Sequence, residues 1–382
     1  MLQRAPGRLA VPIVLIGLNL RPLFASLPPL VHDVRADLGL SAAAAGLLTT
    51  GPLLCLGVLA PLGPRIARRM PVERLLVACA LATAVGCGAR GLGGTLPLFA
   101  GTLLAGAAIA LAQVVIPALI RARGGAGGLT GAFSMSLVGG ATIAAFAAIP
   151  LEHAFNGWQG ALSFWALPAL AAAAVWVPIA QRTHDPVRAP APHPLLRDPV
   201  AWSIAAFFGL QSMCFYSSTS WLPEILQDSG ISEGRAGTLN GVSNLVQILP
   251  AFAVPVLAAR APSQRPLLLT IVAFTLAGLG GVLAAPHVAL IWMIVLGIGQ
   301  GAALGLGLIL PVLRGRSAAE VASMTALAMG FGYVIASTGP AIVGAVHDAT
   351  DGWNAPLVVL LGMAALQAPA AWRATVRIPH QR

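Results

Sequence analysis

A single arginine, Arg21, lies in the middle of an apolar run that extends from about position 9 to position 31, with Asn19 before it and Pro22 after it. A guanidinium at the centre of a membrane helix costs about 2.5–3.5 kcal/mol on insertion scales, so such an arginine is a functional-site hypothesis that needs a partner. Every acidic residue falls, on the segmentation below, in a loop or at the end of an apolar run. We therefore expect Arg21 to bind an anionic ligand. The alternative is a structural arginine that donates to backbone carbonyls where helices pack.

Pro22 supports a special role for this position. Proline has no N–H, so the carbonyl of Leu18 loses its helical donor and the helix kinks. A kink of this kind inside a membrane has to face protein or water rather than lipid.

Other large polar side chains also lie well inside apolar runs. Gln113, Gln211 and Gln300 can each bind a ligand or hydrogen-bond a neighbouring helix. Asn240, Asn244 and Gln247 are spaced i, i+4 and i+7, so they form one polar stripe on a helix. Because the stripe cannot face lipid, it faces a cavity or another helix, and we favour a cavity. Two hydroxyl residues complete the set of candidate ligands, which are Thr49 and Tyr333.

The composition identifies the surroundings in which these residues must act. Apolar residues make up 57% of the chain, charged residues 9%, and the mean hydropathy is +0.85, whereas a soluble domain has about 25% charged residues. The chain is therefore predicted to be a multi-pass membrane protein whose partner is the lipid bilayer. The net charge of +10 comes from arginine alone and reports topology, so no nucleic-acid partner is expected. The four cysteines have no metal-ligand spacing, and we expect no metal and no cofactor.

Twelve apolar runs are long enough to cross the hydrocarbon as helices. Their approximate limits in the first half are 9–31, 42–63, 73–92, 95–120, 128–150 and 157–180. Those of the second half are 199–222, 234–258, 265–285, 288–311, 318–343 and 353–372. The predicted fold class is thus an all-α membrane protein with twelve transmembrane helices.

The arginines test this count, because positive charge collects in cytoplasmic loops. Eighteen of them fall on one side of the predicted membrane, and only Arg35, Arg90 and Arg235 fall on the other. Both termini and the proline-rich linker at 181–198 are therefore assigned to the cytoplasm, and the chain to the cytoplasmic (inner) membrane.

A weak internal repeat divides the chain into two similar halves. Leu40-Ser41 recurs as Ile231-Ser232 at a shift of 191 positions, and Gly157-Trp158 recurs as Gly352-Trp353 at a shift of 195. We predict an N-terminal six-helix bundle at 1–180, a linker at 181–198 and a C-terminal six-helix bundle at 199–382.

With these features the sequence resembles the major facilitator superfamily, and within it the cyanate/2-nitroimidazole transporters. The resemblance rests on short motifs spread over nearly the whole chain, which are Asn19-Leu20-Arg21-Pro22, the stretch from Leu40 to Thr50, Gly157-Trp158-Gln159-Gly160-Ala161-Leu162 and Trp221-Leu222-Pro223. It implies two pseudo-symmetric bundles with the substrate site near the midplane where they meet. It also implies that the first, fourth, seventh and tenth spans line the cavity, and these carry Arg21, Gln113, Gln211 and Gln300.

Two departures from the superfamily patterns bear on mechanism. Where the loop between the second and third spans usually has an aspartate and a second glycine, this chain has Arg68 and Pro71, so a conformational latch of the usual polarity is not expected. The glycine and proline pattern of the drug antiporters is also missing from the fifth span, because Pro150 comes too late.

Three classes of function were weighed. The favoured one is a secondary active or facilitative transporter that moves a small anionic solute by alternating access and functions as a monomer. The second is an exporter of small neutral toxic compounds such as nitroimidazoles. The third is a membrane-embedded transferase, which needs clustered acids or a buried histidine. All seven histidines lie in loops or at span ends, so an enzyme is not expected.

The predicted topology can be tested by cysteine labelling. The four native cysteines lie in spans, so a single cysteine introduced beside Asp228 should react with an impermeant thiol reagent on intact cells. A cysteine introduced beside His193 should react only after the cells are opened. Labelling of the His193 position from outside would contradict the twelve-span topology.

Overall fold

The computed structural model describes residues 9–40, 42–60, 62–124, 127–182 and 195–376, apart from a few side chains within these ranges. The described part of the chain is helical and contains no strand. The helices of the first half are α1 (Ala10–Asn19), α2 (Pro22–Ala25), α3 (Val31–Leu38), α4 (Ala42–Leu59), α5 (Leu62–Arg69), α6 (Val72–Ala89), α7 (Thr95–Ala122), α8 (Gly127–Phe155), α9 (Trp158–Ser163) and α10 (Ala166–Arg182). Those of the second half are α11 (Pro199–Asp228), α12 (Glu233–Val246), α13 (Ile248–Arg260), α14 (Arg265–Ala284), α15 (Ala289–Arg314), α16 (Ala318–Thr350) and α17 (Asn354–Ala371).

Eleven of the predicted spans correspond to helical segments that are long and apolar enough to cross a membrane. The remaining predicted span, the second, corresponds to α4, whose 18 residues rise about 27 Å. The prediction of an all-α, multi-pass membrane fold is therefore confirmed. Helices α8 and α16 continue past their predicted ends to Phe155 and Thr350.

The first, sixth and eighth predicted spans are interrupted within the described residues, and the sixth divides into α9 and α10 after Ser163. The first divides into α1 and α2 at Arg21, as Pro22 predicts, and the eighth divides into α12 and α13 at Gln247. Pro250 explains the break in the eighth span, since it cannot donate to the carbonyl of Val246 four residues earlier. The sequence reading missed this break.

The described residues group into two compact units. One takes the described parts of Met1–Gly125, Ser136–His193 and Arg316–Ala326, and the other takes those of Ala126–Met135, Pro194–Gly315 and Leu327–Arg382. Most of each unit falls in one predicted half. The predicted boundary at 181–198 lies largely outside the described residues, so the division at 1–180 and 199–382 stays a prediction.

Each unit has its own apolar core. In the first unit the core packs Leu30, Val34 and Leu98 around Trp158 and Leu162. In the second unit it is larger and includes Leu226, Leu279, Met293, Leu360 and Trp353. These cores hold together the helices that carry the candidate site.

A pair of polar contacts repeats between the two units. In the first unit Arg123 at the end of α7 forms an ion pair of 2.5 Å with Glu73 at the start of α6. In the second unit Arg314 at the end of α15 donates to the Gln264 side chain, 2.6 Å away, just before α14. Both members of the second pair follow those of the first at a shift of 191 positions, so the weak sequence repeat has a structural counterpart.

The Glu73–Arg123 pair yields a stability prediction, because Glu73 is only 1% exposed. Glu73→Ala should lower the free energy of unfolding by about 1–3 kcal/mol, because it leaves the Arg123 guanidinium without its acceptor. Glu73→Gln should cost less, because it reproduces the amide contact that Gln264 makes in the second unit. Thermal unfolding of the purified variants in detergent measures both, with Gln264→Ala as the matched control. Equal destabilisation by the Ala and Gln changes at Glu73 would contradict the comparison.

Candidate functional site

The site begins at the break in the first span. Helix α1 ends at Asn19, and the N–H of Leu20 turns back to the carbonyl of Gly17, 3.1 Å away. Arg21 precedes α2, and its own carbonyl accepts from Phe24 and Ala25 at 3.0 and 3.2 Å. The break arises because Pro22 cannot donate to Leu18. It places a guanidinium between two helix ends.

Protein covers this break on one side. A Cβ on Gly140 of α8 would overlap the carbonyl oxygen of Leu18, so only glycine permits this contact. The Leu18 carbonyl that Pro22 leaves without a helical donor is therefore packed against α8. This agrees with the expectation that irregular backbone at membrane depth is buried in protein.

Arg21 itself is half-buried, and its guanidinium carbon lies 6.0 Å from the centre of the Phe24 ring. The first unit also supplies Asn19, Gln113 and Thr49. Asn19 donates to the Leu15 carbonyl at 2.7 Å, within α1. Gln113 is fully buried in α7. Thr49 is in α4, but its side chain lies outside the described residues.

A small cavity adjoins the break, between α1, α6, α7 and α10. It is lined by Asn19, Cys79 and Thr83 among others. Its volume is about 10 Å³, which is room for about one water molecule. The cavity is too small for an organic substrate.

In the second unit, Gln211 and Tyr333 are connected through Phe208. The amide nitrogen of Gln211 donates to the Ser212 hydroxyl at 2.6 Å and to the Phe208 carbonyl at 3.3 Å. The Phe208 ring meets the ring of buried Tyr333 edge-on, with 5.5 Å between centres. The side-chain amide of Gln211 therefore donates both of these hydrogen bonds within α11.

The predicted polar stripe is partly satisfied within itself. Gln247 donates to the side chain of Asn244 at 3.0 Å, while Asn240 is half-buried one turn earlier in α12. A Cβ on Gly301 of α15 would overlap the carbonyl oxygen of Gln247, so this end of the stripe packs against α15. This contact involves the backbone of Gln247, so the prediction that the side chains of the stripe face a cavity stays a prediction.

Gln300 is a buried amide with unused hydrogen-bonding capacity. It is buried in α15, and its side-chain nitrogen has no hydrogen-bond partner among the residues that the structure describes. A buried amide of this kind costs free energy unless a ligand or water accepts from it. Gln300 is therefore the best placed of the predicted amides in the second unit to meet a substrate.

Sequence reasoning missed a second buried cation. Arg90 was predicted at the external end of the third span, and it lies at the end of α6 with a fully buried side chain. Its guanidinium nitrogens make no hydrogen bond of good geometry within the described ranges, and the Cys87 thiol lies beside it. The position of Arg90 at the very end of an apolar run gave no signal that other helices cover it.

Acidic groups stay away from the middle of the spans. The described carboxylates lie in loops, in α3, or within about two turns of the end of a long helix, as Glu73 and Glu224 do. The helix bounds therefore agree with the sequence expectation that the spans carry arginine but no central acid.

The comparisons with known proteins agree with this architecture. A sequence profile of the Major Facilitator Superfamily matches residues 13–340. The chain is 36% identical over 356 residues to the uncharacterized transporter YycB of Bacillus subtilis (strain 168), covering 91% of this chain and 89% of the relative. It is 34% identical over 357 residues to the 2-nitroimidazole transporter of Escherichia coli (strain K12), covering 91% and 90%.

A further relative is the cyanate transport protein CynX of Escherichia coli (strain K12), with 30% identity and coverage of 88% of this chain and 89% of the relative. Among solved structures, the proton:xylose symporter XylE bound to 6-bromo-6-deoxy-D-glucose superposes with a TM-score of 0.75 at 16% identity, covering 96% and 95% of the two chains. That likeness concerns the fold alone. The predicted resemblance to the cyanate/2-nitroimidazole transporters is confirmed, as is the prediction that the protein is not an enzyme. With a profile match over most of its length and relatives aligned over nine-tenths of it, the chain belongs to the Major Facilitator Superfamily of membrane transporters.

Proposed function

We propose that the protein moves a small anionic solute across the cytoplasmic membrane by alternating access, with Arg21 as the residue that binds the anion. The observation that carries the proposal is the position of Arg21 at the break between α1 and α2. There the guanidinium is half-buried at a helix interruption instead of lying at the end of a span. An arginine at membrane depth in a transporter marks a substrate or ion pathway.

The electrostatics of the first unit support an anion over a cation. Arg21 and Arg90 both lie within apolar spans, and the described spans carry no acid near their centres. A positive interior attracts an anion and repels a cation. Arginine also offers a planar fork of donors that matches two oxygens of one ligand.

The other site residues remain predictions. Gln300 has a donor available for a substrate, whereas the amides of Asn19, Gln211 and Gln247 already donate within the protein. We propose that Gln300 contributes directly. The roles proposed for Gln113, Thr49, Asn240, Asn244 and Tyr333 rest on their positions in the spans.

The relatives support a substrate with a small, planar or linear acceptor group. One is named for cyanate, which is an anion, and one for 2-nitroimidazole. The nitro group presents two oxygens at one end, which an arginine fork can also bind. Export of a neutral nitroimidazole-like compound is therefore the second candidate function.

The same proposal includes the orientation and state of the protein. The arginine distribution supports cytoplasmic termini. A monomer is the expected functional state, and the driving force is a solute or ion gradient, because the sequence contains no nucleotide-binding motif.

Substitution of Arg21 tests the proposal. Arg21→Gln should weaken binding of cyanate, the probe anion, by about 10- to 100-fold, because a charge-assisted hydrogen bond contributes about 1.5–3 kcal/mol. Arg21→Lys should keep part of the affinity, since it keeps the charge but loses the fork. Binding is measured by ligand-dependent thermal shift, and transport by uptake into proteoliposomes at matched protein content.

Arg35→Gln is the control, because it removes the same charge from an exposed position in α3. It should leave cyanate binding unchanged. Saturable cyanate transport at the normal level by a stable Arg21→Gln protein would refute the anion-binding role. A structural arginine would instead show lower thermal stability along with lower activity. Normal transport of a neutral nitroimidazole with no cyanate binding by the wild type would favour the second candidate.

The absence of central acids also predicts how protons take part. If an inward proton gradient drives uptake, we expect the proton to travel with the substrate, so gradient-driven uptake should survive Asp33→Asn in α3. Uptake with and without a pH gradient measures this, with His32→Gln as the second edge-group variant. Selective loss of the proton drive in either variant alone would show that the edge group is the carrier.

A further inference from the structure

A lateral groove runs along the second unit between α13 and α14, and α15 forms its floor. Its volume is about 320 Å³, within the range of about 300–1,000 Å³ of small-molecule sites. The lining is apolar except for Thr270, whose hydroxyl already donates to the Pro266 carbonyl at 3.0 Å. Leu249 at its rim is 73% exposed, so the groove is open.

The groove lies on the lipid side of α15. Ile298 lines the groove, and Gln300 is about 200° away around the same helix. The buried polar face and the groove are therefore on opposite sides of α15. Since α13, α14 and α15 belong to candidate spans, the molecule that meets the open groove in the cell is a membrane lipid.

The length of the groove fits one leaflet of the bilayer. On α14 its lining begins at Leu267, two residues after Arg265, and ends at Phe274. Phe274 is nine residues beyond Arg265, a rise of about 13.5 Å along the helix, which is close to half of the hydrocarbon thickness of about 30 Å. The apolar groove therefore starts at the level of Arg265 and ends near the bilayer centre.

The mouth of the groove carries positive charge. Arg260 at the end of α13 follows the groove-lining Ala253 by seven residues, or two helical turns, so both lie on one face of the helix. Arg265 instead stacks on Trp372, with its guanidinium carbon 4.2 Å from the ring centre, on the face of α14 opposite the groove lining. Arg260 ends α13 and Arg373 follows Trp372, and both are exposed. No acidic residue occurs from Ile248 to Ala284, which includes α13, α14 and the turn between them. A tryptophan with arginines at this depth is typical of the membrane interface.

We propose that this groove binds one anionic phospholipid of the arginine-rich leaflet, with an acyl chain between α13 and α14 and the phosphate beside Arg260. The apolar lining supplies contact with the chain, and Arg260 supplies charge complementarity for the headgroup. A zwitterionic lipid with the same chains has less to gain at this mouth. The site is separate from Arg21 and does not depend on the solute that the protein carries.

The test uses the full-length protein in detergent and phosphatidylglycerol as the probe lipid, with phosphatidylcholine of identical chains as the competitor. Native mass spectrometry should show one retained phosphatidylglycerol on the wild type in excess phosphatidylcholine. Ala253→Trp fills the groove and should abolish retention. Ala273→Trp is the matched control, because Ala273 is exposed on the same helix as Phe274 but does not line the groove.

A second variant tests the headgroup without filling the groove. Arg260→Gln should lower the apparent affinity for phosphatidylglycerol by about fivefold, because an arginine near the surface contributes about 1 kcal/mol. Arg265→Gln is the matched control, because Arg265 lies on the face of α14 opposite the groove lining, and it should leave the affinity unchanged. This arm decides the question if Ala253→Trp does not fold to a monodisperse protein. The stabilisation of the wild type by phosphatidylglycerol in thermal unfolding should fall in parallel.

Several results would overturn the proposal. These are retention of the lipid by Ala253→Trp, equal retention of phosphatidylcholine by the wild type, loss of retention in Ala273→Trp, or an affinity that is unchanged in Arg260→Gln. A wild-type dimer that Ala253→Trp converts to a monomer would also overturn it, because the groove would then bind a second copy of the chain.

Discussion

The structure depends on the requirement that every backbone polar group within hydrocarbon finds a partner inside the protein. At two of the interruptions in its spans, Arg21 and Gln247, a glycine of a neighbouring helix packs on the backbone. Gly140 covers the Leu18 carbonyl, and Gly301 covers the Gln247 carbonyl. The interruptions are tolerated because side-chain volume is missing where the backbone becomes irregular.

Polar chemistry is concentrated at these interruptions. Arg21 lies at the first, and Asn244 and Gln247 lie at the second. A regular helix offers no free backbone groups and presents only its side chains, whereas a broken helix can turn both toward a ligand. The connection between proline breaks and polar residues explains why an apolar chain can keep a guanidinium at depth.

Helix α15 faces protein on one side and lipid on the other. Gly301 packs on Gln247, Gln300 lies on a buried face, and Ile298 lines a groove open to lipid. The C-terminal end of the same helix is held by hydrogen bonds. There Arg314 donates to the Gln264 side chain and to the backbone carbonyls of Ala374 and Val376. Within the membrane this helix packs through small residues, and at the membrane border it is held by an arginine.

Composition, periodicity and arginine asymmetry determined the all-helical multi-pass fold from sequence alone, because hydrocarbon permits few structures and the length of a span is set by the bilayer. The Pro22 break could be predicted for the same local reason. Tertiary structure decided what covers each polar side chain. Asn19 and Gln211 donate within their own helices, and Arg90, predicted at the external end of a span, is fully buried. A helical pattern identifies which residues share a face, but the neighbour that meets this face is chosen by packing between segments distant in sequence.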